Sequence, residues 1–145
     1  MIHQNIKLKP PMKIPVHIQT LFITAIATCA IVFASAAELS DNDKQFLTTY
    51  KKIHSALAAD DLTAAKSAAQ GLGDEGSEIA KAASLKDARA GFEKLTARAK
   101  TVAADQSDYH VFHCPMLNKD WVQTSTKAEN PYGGKEMAGC GEMQK

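Results

Sequence analysis

Two cysteines, two histidines and two methionines are gathered into about thirty residues near the C-terminal end of this chain. They run His110-Val-Phe-His113-Cys114-Pro-Met116, then Trp121, Asn130-Pro-Tyr132-Gly and Met137-Ala-Gly-Cys140-Gly141. Thiolate and thioether sulfurs are soft, polarisable donors that favour Cu(I), whereas hard ions want carboxylate oxygens. Zinc more commonly takes four Cys or His ligands, and methionine serves it poorly. The candidate ligand set is therefore Cys114, Met116, Met137 and Cys140, with His113 as a further donor and His110 nearby, and the expected cofactor is copper as Cu(I), or silver. Met137 and Cys140 are three residues apart, so one helical turn would put both sulfurs on one side. Pro115 stiffens the backbone between Cys114 and Met116. The competing explanation is a Cys114–Cys140 disulfide with the methionines in the core. Closing a loop of that length would stabilise the fold by roughly 3–4 kcal/mol in the entropic model.

The opposite end of the chain decides which compartment this chemistry meets. Lys7, Lys9 and Lys13 precede an apolar run from Leu21 to Phe33, and Ala34-Ser35-Ala36 offers the small residues that signal peptidase accepts. Residues 1–36 therefore read as a cleaved secretory signal peptide. The run of roughly 13 residues is shorter than the ~20 of a spanning helix. A lipoprotein reading at Cys29 is weaker, because Thr28 fits the site poorly and the apolar run continues past it. Cleavage would leave 37–145 as a single domain in the periplasm or outside the cell, without stable membrane insertion. It would also remove Cys29, so that Cys114 and Cys140 are the remaining cysteines of three. The three leader lysines subtracted from 17 basic residues leave 14 against 16 acidic ones, a formal charge of −2. That balance argues against a nucleic-acid partner, which would demand a basic patch. In an oxidising compartment a cysteine pair defaults to a disulfide unless metal protects it.

The body between leader and tail is alanine-rich and helical. Ser40-x-x-Asp43 has the form of a helix start, and Phe46, Leu47, Tyr50, Ile53 and Leu57 follow at three- and four-residue steps. Asp60 or Asp61 starts a second helix with an inner face of Leu62, Ala65, Ala69 and Leu72, ended by Gly71, Gly73 and Gly76. A short piece follows over 77–83, and Ser84-x-x-Asp87 opens a helix carrying Leu85, Ala88, Phe92, Leu95, Ala99 and Val102. His54 lies beside the first apolar face and reads as a boundary residue. The expected fold is all-α: an up-down bundle of three to four helices over 40–105. To it is added a Cys/Met-rich hairpin-and-loop segment over 107–142, with short strands at Tyr109–His113 and Trp121–Thr124. Alanines bury little area each, so the tail is expected to pack on the bundle.

The tail motifs, together with Phe92-Glu-Lys-Leu95-Thr96, resemble an uncharacterised, mostly helical domain. That domain occurs as a stand-alone exported protein and at the C-terminus of copper/silver efflux adaptors, the membrane-fusion proteins. The resemblance spans residues 41–142 and implies a periplasmic helical domain tied to heavy-metal handling, with Cys114, Met116, Met137 and Cys140 as ligands. Gly133 departs from it, standing where an aromatic is common, and the segment from Met116 to Trp121 is short. No adaptor hairpin or barrel is present, so an adaptor role does not follow.

Two functions emerge. The first is an exported Cu(I)/Ag(I) chaperone or buffer serving a metal-efflux or metal-delivery protein. The second is a disulfide-stapled structural or protein-interaction module without metal. An enzyme is not expected: there is no Ser/His/Asp arrangement, no phosphate-binding glycine loop, and no Cys-x-x-Cys pair for thiol-disulfide exchange.

Overall fold

The computed structural model describes residues 38–145; the proposed leader lies outside them. Helix α1 (Asp41–Ala58) begins where the Ser40 hydroxyl accepts from the Asp43 N–H, as the capping pattern requires. The Asp61 carboxylate caps α2 (Leu62–Ala69) in the same way. A 3₁₀ stretch (Gln70–Gly76) leads into the short α3 (Ser77–Ala80). Ser84 caps α4 (Leu85–Val102) through the Asp87 N–H. The expected apolar face of α1 is buried, as are Ala65, Ala69, Ile79, Ala88, Phe92, Leu95 and Ala99 of the later elements.

The fold is mixed α/β, which corrects the all-α expectation. Strands β1 (His110–Cys114), β2 (Lys119–Gln123) and β3 (Glu142–Met143) form an antiparallel sheet in the order β2-β1-β3. The hairpin of β1 and β2 becomes a sheet because the chain end returns to the free edge of β1, pairing Phe112 with Met143 and His113 with Glu142. The sheet also contributes core. Phe112, Cys114, Trp121 and Val122 are as buried as the helical face.

Four parts of the chain meet at one buried cluster of hydroxyls. Tyr50 of α1 lies 2.9 Å from the Thr96 hydroxyl of α4, which lies 3.1 Å from the hydroxyl of Tyr132 in the tail. The Val122 N–H of β2 donates to the Tyr50 oxygen, and Thr96 reaches the Phe92 carbonyl. One proton assignment satisfies all of them: both phenols donate to Thr96, and Thr96 donates to Phe92. Burial pushes both phenols above their ordinary range. Phe92 stacks on Tyr50, with ring centroids 4.7 Å apart, and packs against Tyr132.

A second tie joins the α1–α2 turn to the tail. Asp60, held at a positive φ of 56°, accepts from Arg89 and from the Lys135 N–H. Arg89 also donates to the carbonyls of Pro131 and Leu57. Gly134 sits against this pair with φ of 59°, where a Cβ would strike the Asp60 carboxylate.

Replacing Thr96 by the near-isosteric Val keeps the volume but leaves the buried Tyr50 and half-buried Tyr132 hydroxyls without that acceptor. The expected loss is about 2–4 kcal/mol in urea-induced unfolding, larger than for Thr→Val at the exposed Thr48.

Candidate functional site

Cys114 and Cys140 are bonded to each other, with Cα atoms 5.7 Å apart across 26 residues. Cys114 ends the central strand and is fully buried, whereas Cys140 is half-buried. Asn130 organises the loop that carries Cys140. Its side-chain oxygen accepts from the Tyr132 and Gly133 N–H groups, and its amide donates to the Cys140 carbonyl. Gly141 then passes the Trp121 ring so closely that a Cβ there would overlap it. Trp121 in turn stacks on Phe112 and donates to Gln123, whose amide donates to the Ser125 and Lys127 carbonyls.

The remaining sequence-predicted donors are distributed around this pair. Met116 lies in the turn between β1 and β2 and is 78% exposed. Met137 is half-buried against the core, and its carbonyl accepts from the Cys140 N–H. Its side chain occupies the space that a side chain at position 133 would need. Gly133 thus has Met137 over it.

His113 stands apart from the cysteines. Successive residues of a strand face opposite sides, so Phe112 and Cys114 share one face and His113 the other. There His113 Nδ1 lies 2.8 Å from Asp120, its cross-strand partner, and Lys100 of α4 donates to the same carboxylate. Lys100 and then His113 hold Asp120 below the usual carboxylate range. Proximity in sequence favoured His113, but the period of two makes His110 the residue that shares a face with Cys114. Met143 shares it too, since directly paired residues of adjacent strands lie on one side of the sheet. The period-2 pattern of His110 to Cys114 was the available signal for His110. Nothing in a two-residue terminal strand announced Met143. Among the described residues, no three His, Cys, Asp or Glu side chains are grouped so as to hold a metal.

A second place of chemical interest is His54. It is 2% exposed, more deeply buried than a boundary residue, and its Nε2 has no hydrogen-bond partner. Burial lowers its pKa to about 4, against a smaller upward effect of its hydrogen bond to the Glu129 backbone. The side chain lines a cavity of about 150 Å³ between α1 and the segment after β2. Its burial was not legible because the flank of that helical face is covered by tail residues distant in sequence.

Compared with family models, curated proteins and solved structures, the chain has no significant match. Among the described residues, no helix is long and apolar enough to cross a membrane.

The neutral state of His54 makes stability pH-dependent with a defined sign. The folded pKa, about 4, lies below the ordinary 6.5. Protons therefore bind the unfolded chain preferentially as pH falls through 6.5, and stability declines until about pH 4. The expected decline is about 3 kcal/mol over that window. Asp43, Asp60 and Asp120, all depressed from 3.8, add their losses only below it. Urea unfolding at pH 7 and pH 4.5 should show the decline, and His54→Gln should flatten it.

Proposed function

We propose that this chain is an exported soft-metal-binding module for Cu(I) or Ag(I), in which the Cys114–Cys140 bond is the closed state of the site. The observation that supports it most is the juxtaposition of the two sulfurs across 26 residues, on a fixed strand end and an ordered loop. Opening the bond takes two electrons and two protons from an external dithiol, which becomes a disulfide in turn. The two thiols then release their protons as they bind the metal, and two thiolates suit an ion that accepts low coordination numbers. Met137, linked to Cys140 through the backbone, and Met143, on the Cys114 face, are the thioethers available to complete the site. Met116, at the exposed turn two residues beyond Cys114, suits transfer to a metal-delivery or efflux partner. His113, tied to Asp120, is the least favoured donor of the set.

A second reading has a specific observation in its favour: the Cys114 side chain is wholly buried, as a permanent staple would be. The chain would then be a disulfide-stapled structural or protein-interaction module, and copper would be irrelevant to it.

One sample separates the two. After anaerobic reduction with a dithiol, the protein should retain about one Cu(I) per chain against a chromophoric chelator. The disulfide form should retain none, and Cys114→Ser with Cys140→Ser should abolish binding. Reduced protein that retains no Cu(I), and whose lost thermal stability copper does not restore, would establish the staple reading.

A further inference from the structure

The two halves of the Cys114–Cys140 bond are unequally open to a reagent. Cys114 has none of its surface exposed, so its sulfur is closed to solvent with the rest of the residue. Phe112 and Trp121, on the same face of the sheet, are buried with it. Whatever surface the bond presents therefore belongs to Cys140, which is half-buried. The chain leading to Cys140 is also bare. Ala138 and Gly139 are exposed and carry nothing larger than a methyl group, and a Cβ at Gly139 would meet nothing beyond its chain neighbours within 4 Å. Thiol–disulfide exchange is sensitive to such an asymmetry, because a thiolate attacks one sulfur in line with the bond it breaks, and access decides which one. In-line attack on Cys114 would have to start from inside the core. In-line attack on Cys140 starts from the side away from the buried sulfur.

We infer that the bond opens by attack at Cys140, with Cys114 as the leaving sulfur, so that a partner's dithiol is joined to this chain through Cys140. The inference rests on the reading above only in taking the bond to be one that opens. A thiolate of the reductant forms a bond to the Cys140 Sγ as the bond between the two cysteines breaks. The electron pair leaves on the Cys114 Sγ, which takes up a proton. Cys114 ends β1, and the Cys140 loop is held by Asn130 and by the pairing of β3, so the released thiol stays beside the mixed disulfide. There it can re-form the original bond and expel a monothiol. A dithiol escapes this return. Its second thiolate attacks its own linked sulfur, forms the reductant's disulfide and releases Cys140 as a thiolate, which is protonated in turn. Two electrons have then passed to the two cysteines, and the reductant leaves oxidised.

Glutathione tests this on the wild-type disulfide form. No copper is present, so the outcome is separate from Cu(I) retention: a protein that retains no metal can still open at Cys140, and one that retains metal can still fail here. The folded protein is treated with glutathione and quenched in acidic guanidinium containing N-ethylmaleimide, and its peptides are mapped by mass spectrometry. Glutathione should sit on Cys140 and the maleimide on Cys114, in roughly tenfold excess or more over the reverse pattern. The same treatment in guanidinium from the start should give a near-even split, since unfolding removes the difference in access. A near-even split on the folded protein would overturn the inference. Adducts that form only as fast as the whole protein unfolds, or not at all, would overturn it too, and would mean that the bond is closed to thiols while the fold is intact.

Discussion

The hydroxyl of Thr96 is the point on which the architecture depends. It accepts from phenols on α1 and on the tail while giving its own proton to the helix it belongs to, and the Tyr50 oxygen carries the connection on to β2. A buried polar cluster stabilises only when every member is paired. Here the pairing can be completed only if α1, α4, the sheet and the Tyr132 loop are all docked. Alanine-rich helices could otherwise slide against one another at small cost, because an alanine face has few shape constraints. The hydroxyls, with Phe92 stacked on Tyr50, supply directional restraint where the apolar surface gives little.

The helical layer was the legible part of the sequence. Ser40, Asp61 and Ser84 act as caps because a side-chain oxygen before a helix satisfies an N–H that the helix cannot. Those caps, with the three-and-four spacing of Phe46 to Leu57 and of Ala88 to Ala99, are local signals. The sheet was legible only in part, as a hairpin. Its third strand has two residues and no pattern, and it exists because β1 has an edge to offer and the loop fixed by Asn130 delivers the chain to it. The class of the fold therefore turned on a contact that local periodicity cannot encode.

The candidate site was legible as a cysteine pair and less so as a ligand shell. Residues adjacent in sequence are the ones a strand separates most completely, so His113 meets Asp120 and α4 while Cys114 turns to the other side. Met143 reaches the cysteine face by pairing with Phe112. Thr96 was an omission, and His54, read as a boundary residue, is buried. Each is a polar residue at the edge of an apolar stripe, and each is buried by residues more than thirty positions away.

These arrangements bear on whether the Cys114–Cys140 bond can open without dismantling the domain. The loop that carries Cys140 is anchored on both sides of it. Before it stand the Asn130 bonds, the Arg89 bond to the Pro131 carbonyl and the Asp60 bond to Lys135. After it, Gly141 packs on Trp121, β3 pairs with β1, and the Gln144 N–H donates to the Val111 carbonyl. Much of what a disulfide contributes is the restriction of the unfolded chain. Its loss therefore lowers global stability without removing any of these native contacts. A pair whose only role was to hold the tail would duplicate restraints already present on either side. A pair that opens and closes within a loop held by other means can change its chemistry while the fold stays in place, and this is the physical condition that a reducible metal site has to meet.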